Sequence, residues 1–347
     1  MQKYLYNLAT DKYNGFIARI IKSFLLILSL IYGLIVKILI LFYRLFPSRI
    51  NCKVISVGNI TLGGTGKTSL VEYIAKYLKE KGHKVAILTR GYKRKINTMG
   101  DEPSMLAMNL KDVAVIVDTN RIRAAKKAIK DYSVDSVILD DGFQQWKIKK
   151  GLEIVTIDAT NPFGNRYLLP RGILREPLSS LKLADIFVLT KTNLNPDIID
   201  LKYFLEQINP KAIIFTAEHR PIGFYEINQS NVLLDRNTLK GKTVTLISGI
   251  GDPDSFENLI VSMGINIGLS FRFPDHYNYT QKDLAKISTA SREKNIDTIV
   301  TTEKDAVRLY NLQLKTYNLQ LLILRIELVI TKDEEKFQHR LLSLYSL

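Results

Sequence analysis

The hydrophobic pattern separates one long apolar segment near the N-terminus from a series of short apolar runs that follow Pro47. Residues 24–43 form the most apolar stretch of the chain, and Lys37 is its one charged residue. The later runs predict strands over residues 54–57, 85–88, 113–117, 137–139, 154–157 and 186–189, with helices over 69–81 and 121–130. Because strands that are apolar throughout are buried on both faces, the pattern predicts an α/β fold whose mostly parallel sheet carries helices on both sides.

A second, smaller α/β unit is predicted from about residue 240. Its expected strands cover residues 243–247, 296–300 and 319–326, and its expected helices cover 255–263 and 281–293. Residues 212–235 are predicted to be extended and to connect the two units, with Pro221, Gly223 and Asn231 as turn residues. We therefore expect an arm over residues 1–50, a first domain over 51–211, a connection over 212–235 and a C-terminal subdomain over 236–347.

The net charge of the chain indicates which class of partner it binds. Lysine and arginine outnumber acidic residues 49 to 34, which gives a formal net charge of +15. Residues 1–53 contain eight basic residues and one acidic residue. This excess predicts a partner that carries phosphates, which is a nucleic acid, a nucleotide or an anionic membrane.

The apolar arm allows several interpretations. A bilayer core requires about 20 apolar residues, so a transmembrane helix is possible in spite of the central Lys37. Bases on both sides of the segment favour a helix that lies in the interface of an anionic leaflet. A buried core helix is the third possibility, and a cleaved signal peptide is disfavoured because no small-residue cleavage site follows. In the first two interpretations the protein works at a membrane.

Cysteine and histidine limit the chemistry. The chain has one cysteine, Cys52, so an intramolecular disulfide and a cysteine-based zinc cluster are excluded. No two of the four histidines lie within one helical turn of each other, which excludes a metalloenzyme motif of the H-E-x-x-H type.

A glycine-rich loop between a predicted strand and a predicted helix carries the clearest motif. Residues 66–68 (Gly-Lys-Thr) match the end of a P-loop, although Thr61 stands where the motif begins with glycine. Such a loop directs backbone N–H groups at phosphates, with Lys67 reaching the β- and γ-phosphates and the Thr68 hydroxyl binding Mg²⁺. The expected nucleotide contacts are Thr61, Leu62, Gly63, Gly64, Thr65, Gly66, Lys67 and Thr68.

A second apolar run, residues 137–141, ends in Asp140 and Asp141. An apolar strand that ends in carboxylates is typical of a Walker B strand, whose acid anchors Mg²⁺ beside the P-loop. The pattern leaves open which of the two carboxylates contacts the metal. Together the two motifs predict an enzyme that uses a nucleoside triphosphate.

Other nucleotide proteins fit less well. A GTPase requires N-K-x-D, and residues 190–193 (Thr-Lys-Thr-Asn) lack the carboxylate that binds guanine. A dinucleotide enzyme requires G-x-G-x-x-G, of which only residues 249–251 (Gly-Ile-Gly) are present. A nucleic-acid motor would not explain the apolar arm.

Several segments together resemble the tetraacyldisaccharide 4′-kinase (lipid A 4′-kinase) family. They are residues 58–68, 89–92, 100–103, 139–144, 168–170, 174–177, 248–251, 275–276 and 302–306, and they follow the order of the family from about residue 54 to 310. Three positions depart from the family pattern, namely Gln145, Lys93 and Arg171. None of them removes a group that the expected chemistry requires.

The resemblance implies a P-loop kinase that transfers the γ-phosphate of ATP to the 4′-hydroxyl of a tetraacylated glucosamine disaccharide 1-phosphate, with ATP and Mg²⁺ as cofactors. The product would be lipid IVA, the bisphosphate precursor of lipid A. The partners it implies are this lipid and the cytoplasmic face of the bacterial inner membrane, with no nucleic acid and no protein partner.

The resemblance also implies roles for individual residues. Asp101 would accept the hydroxyl proton with His276 bonded to it, Lys67 and Arg175 would stabilise the transferring phosphate, and Arg90 and Arg123 would hold the lipid 1-phosphate. The implied metal ligands are Thr68, Asp140 and Glu176, and the further nucleotide contacts are Asp141, Gly249 and Gly251. The residues themselves predict that Asp101 lies in a turn, because Pro103 disfavours helix at Glu102.

Two alternative functions remain open at this stage. One is another membrane-bound P-loop kinase that acts on a different lipid or polyprenol acceptor. The other is a P-loop protein that binds nucleotide and nucleic acid without lipid chemistry, for which binding to DNA would depend steeply on salt.

Overall fold

The structure is a computed structural model that describes residues 11, 13, 15–91, 100–195, 197–227, 232–310, 312 and 320–346. The chain divides into two units. Unit 1 comprises Met1–Arg94, Asn109–His219 and Leu328–Leu347, and unit 2 comprises Lys95–Met108 and Arg220–Glu327. Tyr92, Lys93 and Asn231, which entered the sequence predictions, lie outside the described residues.

Unit 1 contains a parallel sheet in the order β7-β6-β5-β1-β4-β2-β3. Its strands are β1 (Lys53–Gly58), β2 (Val85–Thr89), β3 (Ala114–Val117), β4 (Ser136–Asp140), β5 (Leu152–Asp158), β6 (Ile186–Thr190) and the first part of β7 (Ile213–Glu226). Its helices are α1 (Phe16–Leu45), α2 (Lys67–Glu80), α4 (Arg121–Tyr132), α5 (Ile199–Ile208) and α9 (Glu334–Leu342), with a 3₁₀ helix at Leu178–Leu183.

The core of unit 1 lies on both faces of this sheet. On one face, Ala124, Ala125 and Ala128 of α4 pack against Val137 and Leu139 of β4. Further along the same face, a separate cluster joins the 3₁₀ helix and α5 to β5 and β6. On the opposite face, Phe215 of β7 packs against Phe337 of α9, which also contacts Tyr73 of α2. The predicted parallel sheet with helices on both sides is therefore confirmed. Val57 of β1 pairs with Asp140 of β4, so the P-loop and the predicted Walker B carboxylates leave the sheet at the same edge.

Helix α1 has 30 residues and begins before the apolar segment that the sequence marks. Among the described residues it is the one helix long and apolar enough to cross a membrane, judged by length and composition only. Its most apolar window has a mean hydropathy of 2.8, and only 17% of that window is buried. Most of its apolar surface therefore faces away from the protein.

Unit 2 contains its own parallel sheet, in the order β10-β9-β11-β12. Its strands are β9 (Thr243–Ser248), β10 (Asn266–Arg272), β11 (Thr298–Thr302) and most of β12 (Gln320–Ile330), and β8 (Leu234–Asp235) pairs antiparallel with the second part of β7. Its helices are α6 (Pro253–Ser262), α7 (Gln281–Glu293), α8 (Glu303–Leu309) and residues 101–108 of α3 (Asp101–Asn109). Strand β10 has no counterpart among the predicted strands, because its polar and apolar residues are mixed.

The two units divide the chain differently from the predicted domains. Residues 1–50 are not separate from unit 1, and the predicted connection over 212–235 is divided between the units at residue 220. Residues 328–347 belong to unit 1, because Phe337 of α9 packs against Tyr73 and Phe215, with ring centroids 5.9 and 5.2 Å away. The Tyr73 hydroxyl also donates to Glu334 at 2.6 Å. Residues 95–108 belong to unit 2. A local hydrophobic pattern cannot predict the unit to which either of these two segments belongs, because both assignments depend on contacts between residues far apart in sequence.

Candidate active site

The P-loop of unit 1 follows β1 and ends where α2 begins at Lys67. Gly63 and Gly66 have φ of 123° and 79°, which is the left-handed region that glycine tolerates best. Gly66 is the N-terminal cap of α2 and has no side chain to occupy the first N–H groups of the helix. These N–H groups and the positive end of the helix therefore form a site suited to phosphate.

Side chains of neighbouring strands hold this loop in place. The Thr65 hydroxyl lies 2.7 Å from that of Thr156 on β5, and the Thr190 hydroxyl on β6 donates to the Thr65 carbonyl at 3.1 Å. The Leu62 N–H donates to the carbonyl of Ile173 at 2.8 Å. The loop is thus fixed from both sides before any nucleotide binds.

Thr61, the departure from the P-loop motif, has a structural explanation. It is buried and forms a bridge with Leu174, and its hydroxyl accepts a hydrogen bond from the Asn59 amide at 3.4 Å. Thr61 has no positive φ, so glycine is not needed there.

Lys67, Asp141 and Arg175 form an ionic cluster beside the loop. Arg175 donates to both carboxylate oxygens of Asp141 at 2.8 Å, and the Lys67 Nζ lies 3.5 Å from Asp141 Oδ1. Desolvation alone would raise the pKa of Asp141, but the Arg175 hydrogen bond and the Lys67 charge bring it down to about 2. Asp141 is therefore ionised at neutral pH and holds two cations next to the phosphate site.

Two of the three expected metal ligands offer chemistry that suits Mg²⁺. Asp140 is buried at the end of β4, and Thr68 is the second residue of α2, so both present oxygen donors at the same sheet edge. In the part of the chain that the structure describes, no three His, Cys, Asp or Glu side chains form a group that could hold a metal. Mg²⁺ in a nucleotide site needs only one or two carboxylates, because phosphates and waters complete its shell.

Glu176, the third expected metal ligand, is held by hydrogen bonds through one of its two oxygens. Its side chain is fully buried, and its Oε1 accepts hydrogen bonds from the Gln144 amide at 2.9 Å and the Trp146 indole at 3.0 Å. Burial raises the pKa of Glu176, which favours the neutral form. Its second oxygen, Oε2, is buried and has no hydrogen-bond partner among the described residues, so the role of Glu176 as a metal ligand stays a prediction.

The two arginines expected to bind the lipid phosphate lie near the ends of β2 and β3. Arg90 is exposed directly after β2. Arg123, in the first turn of α4, makes two hydrogen bonds of 2.7 Å to Asp118. To bind a lipid phosphate, Arg123 would therefore have to break its hydrogen bonds to Asp118 or contact both groups at once.

Unit 2 brings Asp101 and His276 together, although 175 residues separate them in the chain. His276 Nδ1 lies 2.9 Å from Asp101 Oδ2, and Arg308 donates to the same oxygen from Nε at 2.9 Å. Burial would raise the pKa of Asp101, but the His276 hydrogen bond and the Arg308 charge hold it below its ordinary value. Asp101 is therefore available as a carboxylate at neutral pH.

The turn predicted at Asp101 is wrong. Asp101 is the first residue of α3, and Pro103 lies within its first turn. Proline is tolerated there because the first N–H groups of a helix have no partner within the helix.

Gly249 also belongs to this cluster. Its N–H donates to both oxygens of Asp305 at 3.1 Å, and its carbonyl accepts from Arg308 at 2.8 Å and from the N–H of His276 at 3.1 Å. The buried Asp305 also accepts from the Tyr279 hydroxyl at 2.9 Å. The structure therefore places Gly249 in the framework of Asp101 and His276, whereas a Cβ at Gly251 would lie 3.6 Å from Asp275.

Two arginines that bond to Asp101 and Asp140, Arg308 and Arg121, were not identified from the sequence. Arg308 lies one helical turn after Asp305 in α8, a spacing that could have predicted an ion pair on one helix face. Arg121 is buried at the start of α4 and donates to the carbonyl of Asp140 at 3.2 Å. It follows Asn120, whose side chain caps α4, so a capping signal precedes it in the sequence.

Known proteins resemble this chain over most of its length. A family model described as tetraacyldisaccharide-1-P 4′-kinase (LpxK) matches residues 21–346. The tetraacyldisaccharide 4′-kinase of Halothermothrix orenii is 35% identical over 346 residues, which covers 91% of this chain and 90% of that protein. The corresponding protein of Elusimicrobium minutum is 39% identical over 280 residues and covers 75% of this chain and 74% of its own.

A solved structure agrees with these relatives. The crystal structure of LpxK from Aquifex aeolicus in complex with ATP superposes with a TM-score of 0.77 at 28% sequence identity, covering 94% of this chain and 99% of that one. The fold, the P-loop and the matched length thus agree, and the chain belongs to the tetraacyldisaccharide-1-P 4′-kinase family.

Proposed function

We propose that this chain transfers the γ-phosphate of ATP to the 4′-hydroxyl of a tetraacylated glucosamine disaccharide 1-phosphate, which gives the bisphosphate precursor of lipid A. Family membership supports the reaction. The main structural observation in favour of this reaction is the P-loop. Its Lys67 lies at the start of α2, in an ionic cluster with Asp141 and Arg175.

The P-loop and the residues around it in unit 1 bind the triphosphate. The N–H groups of residues 61–68 bind the phosphates, and Lys67 and Arg175 stabilise the charge on the group in transfer. Thr68 and Asp140 would hold Mg²⁺, which neutralises phosphate charge when it is bound. Lys67 exchanges Asp141 for phosphate oxygen when ATP enters, since the pair lies at 3.5 Å and is only partly buried.

The residues of unit 2 serve the acceptor. A bond forms between the 4′-oxygen and the γ-phosphorus while the bond from that phosphorus to the β–γ bridging oxygen breaks, and ADP leaves. The proton of the 4′-hydroxyl passes to the Asp101 carboxylate, and His276 orients that carboxylate through its 2.9 Å contact.

The lipid determines the location of the reaction. An acceptor with four acyl chains stays in the bilayer, so α1 brings the enzyme to the cytoplasmic face of the inner membrane, where ATP is present. Arg90 and Arg123 bind the 1-phosphate, with Arg123 leaving Asp118 to do so, because this exposed ion pair is weak.

A thin-layer assay with γ-labelled ATP tests the function. The purified chain is incubated with tetraacyldisaccharide 1-phosphate, with crude membrane lipid and with polyprenol in separate reactions. Label in a product that co-migrates with the 1,4′-bisphosphate supports the proposal. Label only in another lipid indicates a different acceptor, and no lipid product together with DNA binding that falls steeply with salt indicates the nucleic-acid alternative.

A further inference from the structure

One face of α1 packs on the segment of unit 1 that carries Arg175. The buried residues of the helix are Ala18, Ser29, Gly33 and Val36. The Ser29 hydroxyl donates to the Leu168 carbonyl at 2.9 Å, and a Cβ at Gly33 would lie 2.6 Å from the Leu168 side chain. The helix therefore approaches this segment closely.

Tyr32 extends from the same helix to the backbone of Arg175. Its hydroxyl donates to the Arg175 carbonyl at 2.8 Å, and its side chain is partly buried. Tyr32 follows Ser29 by three residues, a spacing that places both side chains on one face of a helix. The two hydroxyls of α1 thus bind two carbonyls of one segment, at Leu168 and at Arg175.

The backbone of Arg175 is held from two sides. Its N–H donates at 2.7 Å to the carbonyl of Ile60, which directly precedes the expected nucleotide contacts. No backbone N–H of the described residues donates to the Arg175 carbonyl, so the Tyr32 hydroxyl supplies that hydrogen bond. The position of the arginine therefore depends on α1 as well as on the P-loop.

The contacts of the Arg175 guanidinium show what depends on this position. It donates to both carboxylate oxygens of Asp141 at 2.8 Å and to the Asn59 carbonyl at 3.0 Å. Asp141 also pairs with Lys67 at 3.5 Å, so a shift of Arg175 alters the surroundings of both cations beside the phosphate site. A misplacement of about 1 Å can lower a rate by about 10²-fold, so a smaller shift would still be measurable.

We propose that Tyr32 is a positioning residue for Arg175. Its hydroxyl fixes the carbonyl of the arginine, the segment before the P-loop fixes the N–H, and the guanidinium is thereby directed at the phosphate in transfer. Helix α1 thus contributes one hydroxyl to the arrangement of the phosphate site. The proposal rests on the phosphoryl transfer proposed above, because it requires Arg175 to act on the transferring phosphate.

Tyr32→Phe in the full chain tests this role, because it removes one oxygen and keeps the ring. The assay is steady-state kinetics at saturating ATP on detergent-dispersed lipid, which removes any contribution of membrane binding to the rate. We expect kcat to fall about 10-fold, which is less than the loss for a misplacement of 1 Å, while the KM for the lipid stays close to that of the wild type. An unchanged kcat would overturn the proposal.

Ser29→Ala is the matched control. It removes the other hydroxyl that α1 donates to the same segment, and it leaves the hydrogen bonds of Arg175 in place. We expect it to lower Tm about as much as Tyr32→Phe does and to keep kcat close to that of the wild type. Equal losses of kcat in the two variants would show that both hydroxyls only dock the helix, which would refute a specific role for Tyr32.

A double variant tests whether Tyr32 acts through Arg175. In an Arg175→Ala background, Tyr32→Phe should lower kcat no further, because residues that act as a unit are not additive. A further loss as large as that in the wild-type background would show that Tyr32 acts independently and would overturn the proposal.

Failure of the proposed function gives a different result. If the wild-type chain phosphorylates another lipid, the acceptor in the proposed function is wrong, and the same variants compared on that lipid decide the role of Tyr32. If it phosphorylates no lipid, both the proposed function and the role of Tyr32 are overturned.

Discussion

Replacing Gly249 by alanine separates two roles for this residue. The sequence resemblance places Gly249 against the nucleotide, whereas the structure places it in the framework of Asp101 and His276. A Cβ at this position would lie 2.9 Å from the Tyr279 hydroxyl, 3.0 Å from Asp305 Oδ1 and 3.3 Å from Arg308 Nη1. Carbon atoms do not approach oxygen this closely without displacing it, so one of the three groups must move.

Asp305 has little freedom to move. It is fully buried, and it accepts hydrogen bonds from Thr302, Tyr279 and Arg308 at 2.8–3.0 Å in addition to those from Gly249. Overpacking of this kind costs about 1–3 kcal/mol, and each kcal/mol lowers Tm by about 2–4 °C in a domain of 150–250 residues. Displacement of Arg308 also moves Asp101, and a misplacement of about 1 Å can lower the rate by about 10²-fold.

We therefore expect Gly249→Ala to lower Tm and to lower kcat by about 10-fold to 100-fold, with the KM for ATP little changed. The assay is steady-state kinetics on detergent-dispersed lipid, combined with thermal denaturation. Gly251→Ala is the matched control, since its Cβ would lie 3.6 Å from Asp275, an ordinary contact. A Gly249→Ala enzyme with unchanged kcat and Tm but a raised KM for ATP would refute the structural role and restore the nucleotide contact.

Three further predictions concern the chemistry of the two units. Lys67→Ala should lower turnover at saturating ATP by ~10²-fold or more, because a preorganised cation is lost from the transition state, and near wild-type turnover would reject the P-loop assignment. Asp101→Ala and His276→Ala should each lower kcat with little effect on ATP affinity, and the double variant should be barely worse than the poorer single one; losses that multiply would show that the two residues act independently. Arg308→Gln should raise the pKa of Asp101, because the carboxylate loses the positive charge of Arg308, which offsets part of the cost of burial. The pKa of Asp101 is lowered in the wild-type chain, so the acidic limb of the kcat–pH profile should move to higher pH in the variant, and an unmoved limb in a folded variant would contradict the cause given for the shift.

Local features of unit 1 could be predicted from the sequence. The P-loop and Asp140 follow directly after apolar strands, and parallel strands place such ends at one edge of a sheet. The pairing of Asp101 with His276 came from family resemblance, because no local pattern joins residues 175 apart. Arg308 completes that pair through a contact between α8 and α3, which no periodicity reports.

The remaining differences have the same physical origin. The hydrogen bonds from Gln144 and Trp146 to one oxygen of Glu176 could not be predicted, because these neighbours come together only when the chain is folded. The boundary near residue 328 escaped the pattern because α9 is an ordinary amphipathic helix, and only its contact with Tyr73 assigns it to unit 1.

Trp146 gives the enzyme an optical reporter of its own. It is the single tryptophan of the chain, and its indole N–H donates to Glu176, the residue that follows Arg175 in sequence. Indole emission responds to the charge and hydration of its hydrogen-bonding partner, and here no second tryptophan contributes background. Intrinsic fluorescence of the unmodified protein thus reports on the surroundings of this one buried carboxyl, in real time and without a label.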